Sequence, residues 1–192
     1  MPRPIEFVRE DALAAAMEVF WCRGYEASSI NMIIAAMGIN RGTLYSSFGD
    51  KEKLFLLAMD AYEKQKKQLF DSVLIGIENP LDAIRRFMTI IFLEADDSEL
   101  SKGCLVCNTI ELQFTQPHLA EYASERIGAF EQAVISRLLE AQSKQLVPKE
   151  KDVQVLASLI VNTFLGLRLY CKAGLEKEKR EAIIDSTLAA LQ

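Results

Sequence analysis

Apolar residues recur along most of this chain at steps of three and four, the period of an amphipathic helix. No stretch of strict alternation marks a strand. A first helix is predicted over 5–23, with Ile5, Val8, Leu13, Ala16, Met17 and Phe20 on one face and Gly24 closing it. Two short helices follow at about 30–37 and 41–47. Asp50 then caps a long helix to about residue 74, with Leu54, Ala58, Tyr62, Leu69 and Val73 on its apolar stripe. Asn79-Pro80 starts the next helix, since proline suits the first helical position, and Leu81, Ile84, Phe87, Met88, Ile91 and Phe92 give it a wide apolar face. Asp96, Asp97 and Ser98 form a polar loop. Further helices are predicted at 103–114, 119–142, 149–172 and 177–191, with Pro117, Pro148 and Gly174 near their limits. The pattern describes an all-α protein of about nine helices with no internal repeat.

The segment 29–51 is the most structured part of that pattern. Ser29 caps a short helix whose Ile30, Ile33, Ile34 and Met37 pack inward. Gly38 permits the positive φ of a sharp turn, and Ile39 plugs the turn into the core. Asn40 caps the second short helix, which faces Leu44 and Phe48 inward and Arg41, Gly42, Thr43, Tyr45 and Ser46 outward. Lys51 follows at the start of the long helix. Helix, glycine turn and second helix in this order fit a helix-turn-helix whose second helix enters the major groove. Arg41 suits a guanine edge or a phosphate, and Thr43 suits a thymine methyl or a base edge. Gly42 lets the helix lie close to the backbone, while Ser29, Tyr45 and Lys51 suit phosphate. On mechanics alone, a helical hairpin with a solvated polar face remains the alternative.

Charge first argues against a nucleic-acid partner, since the net value is −5. Its distribution removes much of the objection: residues 1–67 carry nine Lys/Arg and nine Asp/Glu, and the remaining 13 against 18 supply the whole imbalance. A neutral reading head predicts modest attraction to DNA in general. No apolar run approaches the ~18 residues of a spanning helix, and the opening residues do not read as a signal peptide. A cytoplasmic protein without membrane contact is expected, with Cys22, Cys104, Cys107 and Cys171 as reduced thiols. One histidine, no phosphate-cradling glycine loop and no framed pair of carboxylates argue against an enzyme; neither metal nor cofactor is expected.

From Gly24 to Tyr62 the chain closely resembles the DNA-binding domain of TetR/AcrR-type transcriptional repressors. Gly24, Tyr25, Ser28, Ser29, Ile30, Ile33, Gly38, Ile39, Arg41, Gly42, Thr43, Leu44, Tyr45, Phe48, Lys51 and Leu54 fall in register with that family's pattern. Ile34 and Met37 replace two small alanines, Asn40 replaces serine or threonine, and Ser46-Ser47 stands where histidine or tyrosine is common. The resemblance implies a homodimer on a near-palindromic operator, with DNA contacts from Ser29, Asn40, Arg41, Gly42, Thr43, Tyr45, Ser46 and Lys51. It further implies a DNA-binding domain over 1–49, a connecting helix over 50–74, and a ligand-binding and dimerisation domain over 75–192. A small molecule in that last domain would move the connecting helix and release the DNA.

In the same domain, Leu156, Leu159, Ile160, Thr163 and Leu167 form one apolar face, and Ile183, Ile184, Leu188 and Leu191 another. They are expected to pair with their copies in the dimer; the alternative is that both are internal. Bulk and placement nominate Phe87, Ile91, Phe92, Phe114, His118, Tyr122, Phe130 and Phe164 as ligand-pocket residues. Cys104-x-x-Cys107 matches, in Gly103-Cys104-Leu105, a segment similar to one in an AcrR-like subgroup, which favours structural thiols. The alternative is a thiol-based redox or electrophile sensor.

Overall fold

The computed structural model describes residues 7–73 and 75–191, and no strand occurs among them. The helices are α1 (Arg9–Ala27), α2 (Ile30–Met37), α3 (Arg41–Phe48), α4 (Lys51–Val73), α5 (Pro80–Thr89), α6 (Asp97–Leu100), α7 (Leu105–Ile110), α8 (Pro117–Ser143), α9 (Val153–Lys172) and α10 (Lys177–Ala189). Within the described residues the predicted all-α class therefore holds, with one more helix than expected. The addition is α6, a single turn in the predicted polar loop: Asp96 Oδ1 accepts from the Ser98 backbone N–H at 2.7 Å and caps it. Ile5 of the predicted first helix lies outside the described residues. That helix begins at Arg9, and Gly24 breaks it at φ +74, where closure was expected. The side chain of Val73 also lies outside the description.

Local signals explain most boundaries. Asp50 Oδ1 accepts from the Lys53 backbone N–H at 2.8 Å, and Asn79 Oδ1 from that of Leu81 at 2.9 Å. Each satisfies a donor left orphaned at a helix start. α9 begins at Val153 rather than at 149, because Asp152 is its cap and accepts from Gln154 at 2.8 Å. α5 runs into a π-helical turn over Ile90–Glu94. The predicted helix over 103–114 is shorter: α7 tightens into a 3₁₀ turn over Glu111–Phe114, and Gly103 stands outside it at φ +72.

Two apolar cores organise these helices. The first joins Phe20, Ile33, Leu44, Phe48, Leu54 and Phe55 of α1 to α4, and it includes Cys104, Leu105 and Val106 together with Leu119 and Ala123 of α8. The second lies among α5, α8, α9 and α10, around Met88, Phe92, Leu138, Ile160, Leu167 and Leu188. The first core thus reaches well past residue 75 along the chain, and α7 forms a seam between the two parts. At this seam Trp21 Nε1 donates to the Gly103 carbonyl at 3.1 Å, and Lys102 pairs with Glu18. α4 is tied to α8 by Asp60 and Glu63 on Arg126, at 2.9 and 2.8 Å.

α9 has an unusual composition. By length and composition it could cross a membrane, with a mean hydropathy of 1.4 over an 18-residue window of which 44% is buried. One side fills the second core, while Val155, Leu159, Leu169 and Tyr170 point outward. These exposed apolar side chains stand among the exposed polar residues Gln154, Ser158 and Asn162.

Candidate nucleic-acid interface

The reading head is assembled by short-range contacts. Ser29 is extended at φ −73 and ψ 152, and its Oγ accepts from the Met32 N–H at 3.2 Å. Gly38 ends α2 in the left-handed region, φ 64 and ψ 25, where a side chain would be strained. Asn40 Oδ1 accepts both the Thr43 N–H at 2.8 Å and the Thr43 hydroxyl at 3.2 Å, which starts α3. Leu44 and Phe48 anchor α3 in the first core, fully and almost fully buried. That anchoring fixes which side turns out: Arg41, Gly42, Tyr45 and Ser46 are exposed and Thr43 is half-buried.

The exposed groups are positioned rather than free. Arg41 Nη2 donates to Asn31 Oδ1 at 3.1 Å, linking α3 to α2, and the Ser46 hydroxyl donates to the Thr43 carbonyl at 3.2 Å. Lys51 Nζ lies 4.4 Å above the Tyr25 ring, and its burial there pulls its pKa down. Residues 27–49 contain no Asp or Glu, so the outward side of α2 and α3 opposes no phosphate with a carboxylate. Sequence reasoning assigned no local contact to Ser28, which is completely buried and donates to the Gly24 carbonyl at 2.6 Å, closing the turn before α2.

The expected pocket residues fall into two sets. Phe87, Phe92, Phe130 and Phe164 form one cluster, joined by Phe70, which the sequence did not nominate. Phe164 stacks on Phe87 at 5.7 Å and packs on Phe130 at 5.0 Å and Phe92 at 5.2 Å. Phe70 meets Phe87 edge-on at 4.8 Å. Phe70, Phe87, Phe130 and Phe164 line a closed crevice of about 20 Å³, room for roughly one water. Ile91 is buried in the same core. An open trough of about 500 Å³ along Gly76–Thr89 shares no lining residue with this crevice.

The other three expectations require correction. Phe114 is 96% exposed, because the 3₁₀ turn carries it away from the core. His118 sits at the surface, with Nε2 3.1 Å from Glu52 of α4. Tyr122 packs under the Arg126 guanidinium and donates its hydroxyl to Asp60, outside the phenylalanine cluster.

The expected dimer faces also divide. Leu156, Ile160, Leu167, Ile184, Leu188 and Leu191 are buried within their own chain. They pack α9 and α10 into the second core and cannot meet a copy directly. Thr163 is half-buried, its hydroxyl 3.2 Å from that of Thr187. Leu159 and Ile183 do face outward, each 38% exposed, alongside Val155, Leu169 and Tyr170, which the sequence reading passed over. The apolar residues of α9 thus form two stripes at helical spacing, one buried and one facing outward.

Cys104 is buried just before α7 and Cys107 is half-buried within it. No group of His, Cys, Asp and Glu able to hold a metal occurs among the described residues.

Four similarities accompany this geometry. Residues 12–58 match the family model of bacterial regulatory proteins, tetR family. Over its full length the chain is 29% identical to the whole of an uncharacterised helix-turn-helix transcriptional regulator, YezE of Bacillus subtilis. It is also 29% identical to the helix-turn-helix transcriptional repressor ComR of Escherichia coli, covering 97% of this chain and 90% of that one. Among solved structures, 99% of the chain superposes on all of a cysteine mutant of the TetR-family regulator CifR in complex with 26-bp operator DNA, at 26% identity and a TM-score of 0.90.

Proposed function

We propose, on the premise that this chain is a TetR-family transcriptional regulator with an N-terminal helix-turn-helix, that it represses transcription by binding a near-palindromic operator as a homodimer. The observation that carries this reading is the outward side of α3: Arg41, Thr43, Tyr45 and Ser46 on an anchored helix with no Asp or Glu within residues 27–49. Arg41, held by Asn31, reads a base edge, and Thr43 contacts a neighbouring base. Ser29, Tyr45, Ser46 and Lys51 take phosphates, and Gly42 and Asn40 permit close approach. Half-sites would lie roughly 34–36 Å apart, one helical turn of DNA.

The dimer is assigned to the outward apolar residues of α9 and α10: Val155, Leu159, Leu169, Tyr170 and Ile183. Release is assigned to an apolar small molecule that opens the phenylalanine crevice around Phe87, Phe130 and Phe164 and tilts α4 through Phe70. The protein acts by binding, without catalysis, and works where the chromosome is, in the cytoplasm.

The test is selection of genomic fragments by the purified protein, repeated with Arg41→Ala. The wild type should enrich one or a few palindromic sequences, and Arg41→Ala should lose that enrichment while its oligomeric state is unchanged. Equal enrichment by the variant at physiological salt would remove α3 from the recognition role.

A further inference from the structure

Arg168 on α9 is 4% exposed, yet it makes no ion pair with a carboxylate among the described residues, and its Nε has no hydrogen-bond partner. The other two deeply placed arginines are paired: Arg180 with Asp97 at 3.0 Å, and Arg126 with Asp60 and Glu63. A buried guanidinium without a counter-charge is costly, so something else must supply one. The rings of Phe92 and Phe164, 5.4 and 5.3 Å from its centre, meet part of the need.

Two thiols lie near the same end of α9. One turn along α9, Lys172 Nζ donates to Asn108 Oδ1 at 3.1 Å, and a Cβ added to Gly103 would stand 2.7 Å from Lys172 Cδ. This end of α9 is therefore pressed against the segment from Gly103 to Asn108, which contains both Cys104 and Cys107. From α4, the Tyr62 hydroxyl is buried without a hydrogen-bond partner, and it helps to lower the Cys104 pKa. The Trp21 ring beside Tyr62, 5.1 Å away, is fixed to the Gly103 carbonyl.

We propose that Cys104 and Cys107 are an oxidisable thiol pair, with Cys104 the attacking sulfur, Arg168 its counter-charge, and hydrogen peroxide the oxidant. The neighbouring Cys107 thiol, and then Arg168, lower the Cys104 pKa against the opposing effect of burial. Cys107 is held protonated by Cys104 and by burial. The Cys104 thiolate attacks one peroxide oxygen: an S–O bond forms, the O–O bond breaks, and the departing hydroxide takes a proton to leave as water. Cys107 then gives up its proton and attacks the Cys104 sulfenic acid. The S–S bond forms, the S–O bond breaks, and a second water leaves. Two thiols are oxidised by two electrons and one peroxide is reduced. Cys104 precedes α7 in an extended conformation, φ −119 and ψ 128, and Cys107 lies three residues later in its first turn. Burial of Cys104 selects a small oxidant over bulky electrophiles.

Cys22 provides an internal reference, since it is exposed and its pKa is raised by burial of the sulfur and by Glu18. The reduced full-length protein is treated with hydrogen peroxide below thiol stoichiometry, quenched, alkylated and mapped by mass spectrometry. The Cys104–Cys107 disulfide should appear before Cys22 is consumed. Cys107→Ser should accumulate a dimedone adduct at Cys104, and Arg168→Met, assayed at a pH below the lowered Cys104 pKa, should slow disulfide formation about tenfold, the rate counterpart of about one pKa unit, with Arg168→Lys restoring it. Should Arg168→Met not fold, the dimedone adduct in Cys107→Ser still decides. Oxidation of Cys22 ahead of the pair, or a dimedone adduct at Cys107 in Cys104→Ser at the rate seen for Cys104, would overturn the proposal. The chemistry is read at sulfur, so its failure is distinct from failure of the operator reading.

Discussion

Asn40 shows how much of the reading head rests on single side chains. Its Oδ1 holds both the N–H and the hydroxyl of Thr43, a residue assigned to a base contact. Asn40→Ala should lower stability by about 1 kcal/mol, the usual cost of a lost cap, and weaken operator binding more than stability alone accounts for. Urea unfolding and a fluorescence-anisotropy titration on one selected operator would check both; unchanged affinity would confine Asn40 to capping. Such residues were legible in the sequence because a cap, a glycine turn and an inward i, i+4 pair are written within ten positions of one another. Arg168 was not legible: its side chain is defined by Phe92, Cys104 and Tyr62, which lie far away in the chain.

Among the elements, α7 departs most from its prediction and carries the seam. Apolar spacing over 103–114 reads as one helix, yet Gly103 adopts φ +72 under Lys172 and the helix tightens after Ile110. Neither feature has a local apolar signature. The same is true of the π-helical turn after α5, which the continuous stripe from Phe87 to Phe92 conceals. Across the seam, Lys102 hydrogen-bonds Glu18 and lowers its pKa against a smaller opposing effect of burial. A lowered acid pKa contributes stability above the usual carboxylate range that is lost as pH falls through the lowered value. Glu18→Gln should therefore flatten the decline in melting temperature on acidification below that range. The effect should be small, because the Glu18 side chain is about half exposed. A decline as steep as that of the wild type would show the pair to be silent.

For the molecule as a whole, helix content was legible, but the outward side of α9 was not. Leu156, Ile160 and Leu167 looked as suitable for an interface as Val155, Leu159 and Leu169 do, because α9 carries apolar residues on more than one side and only the packing of α8 and α10 decides between them. The proposed dimer makes the choice testable. Leu159→Glu with Leu169→Glu should yield monomers by sedimentation velocity with helix content intact, and operator affinity should fall at least about a hundredfold as paired half-sites are lost. Persistence of a dimer would move the interface elsewhere. The head is neutral overall, so nonspecific attraction would not compensate. One feature of the seam also has an optical consequence. Trp21 is the single tryptophan of the chain, and its indole sits between the Gly103 carbonyl and the ammonium groups of Lys66 and Lys102, 5.3 and 5.0 Å from the ring. Its emission colour and quenching therefore come from one place only, the joint between the reading head and the rest of the molecule, and the unlabelled protein carries its own spectroscopic gauge of how tightly that joint is closed.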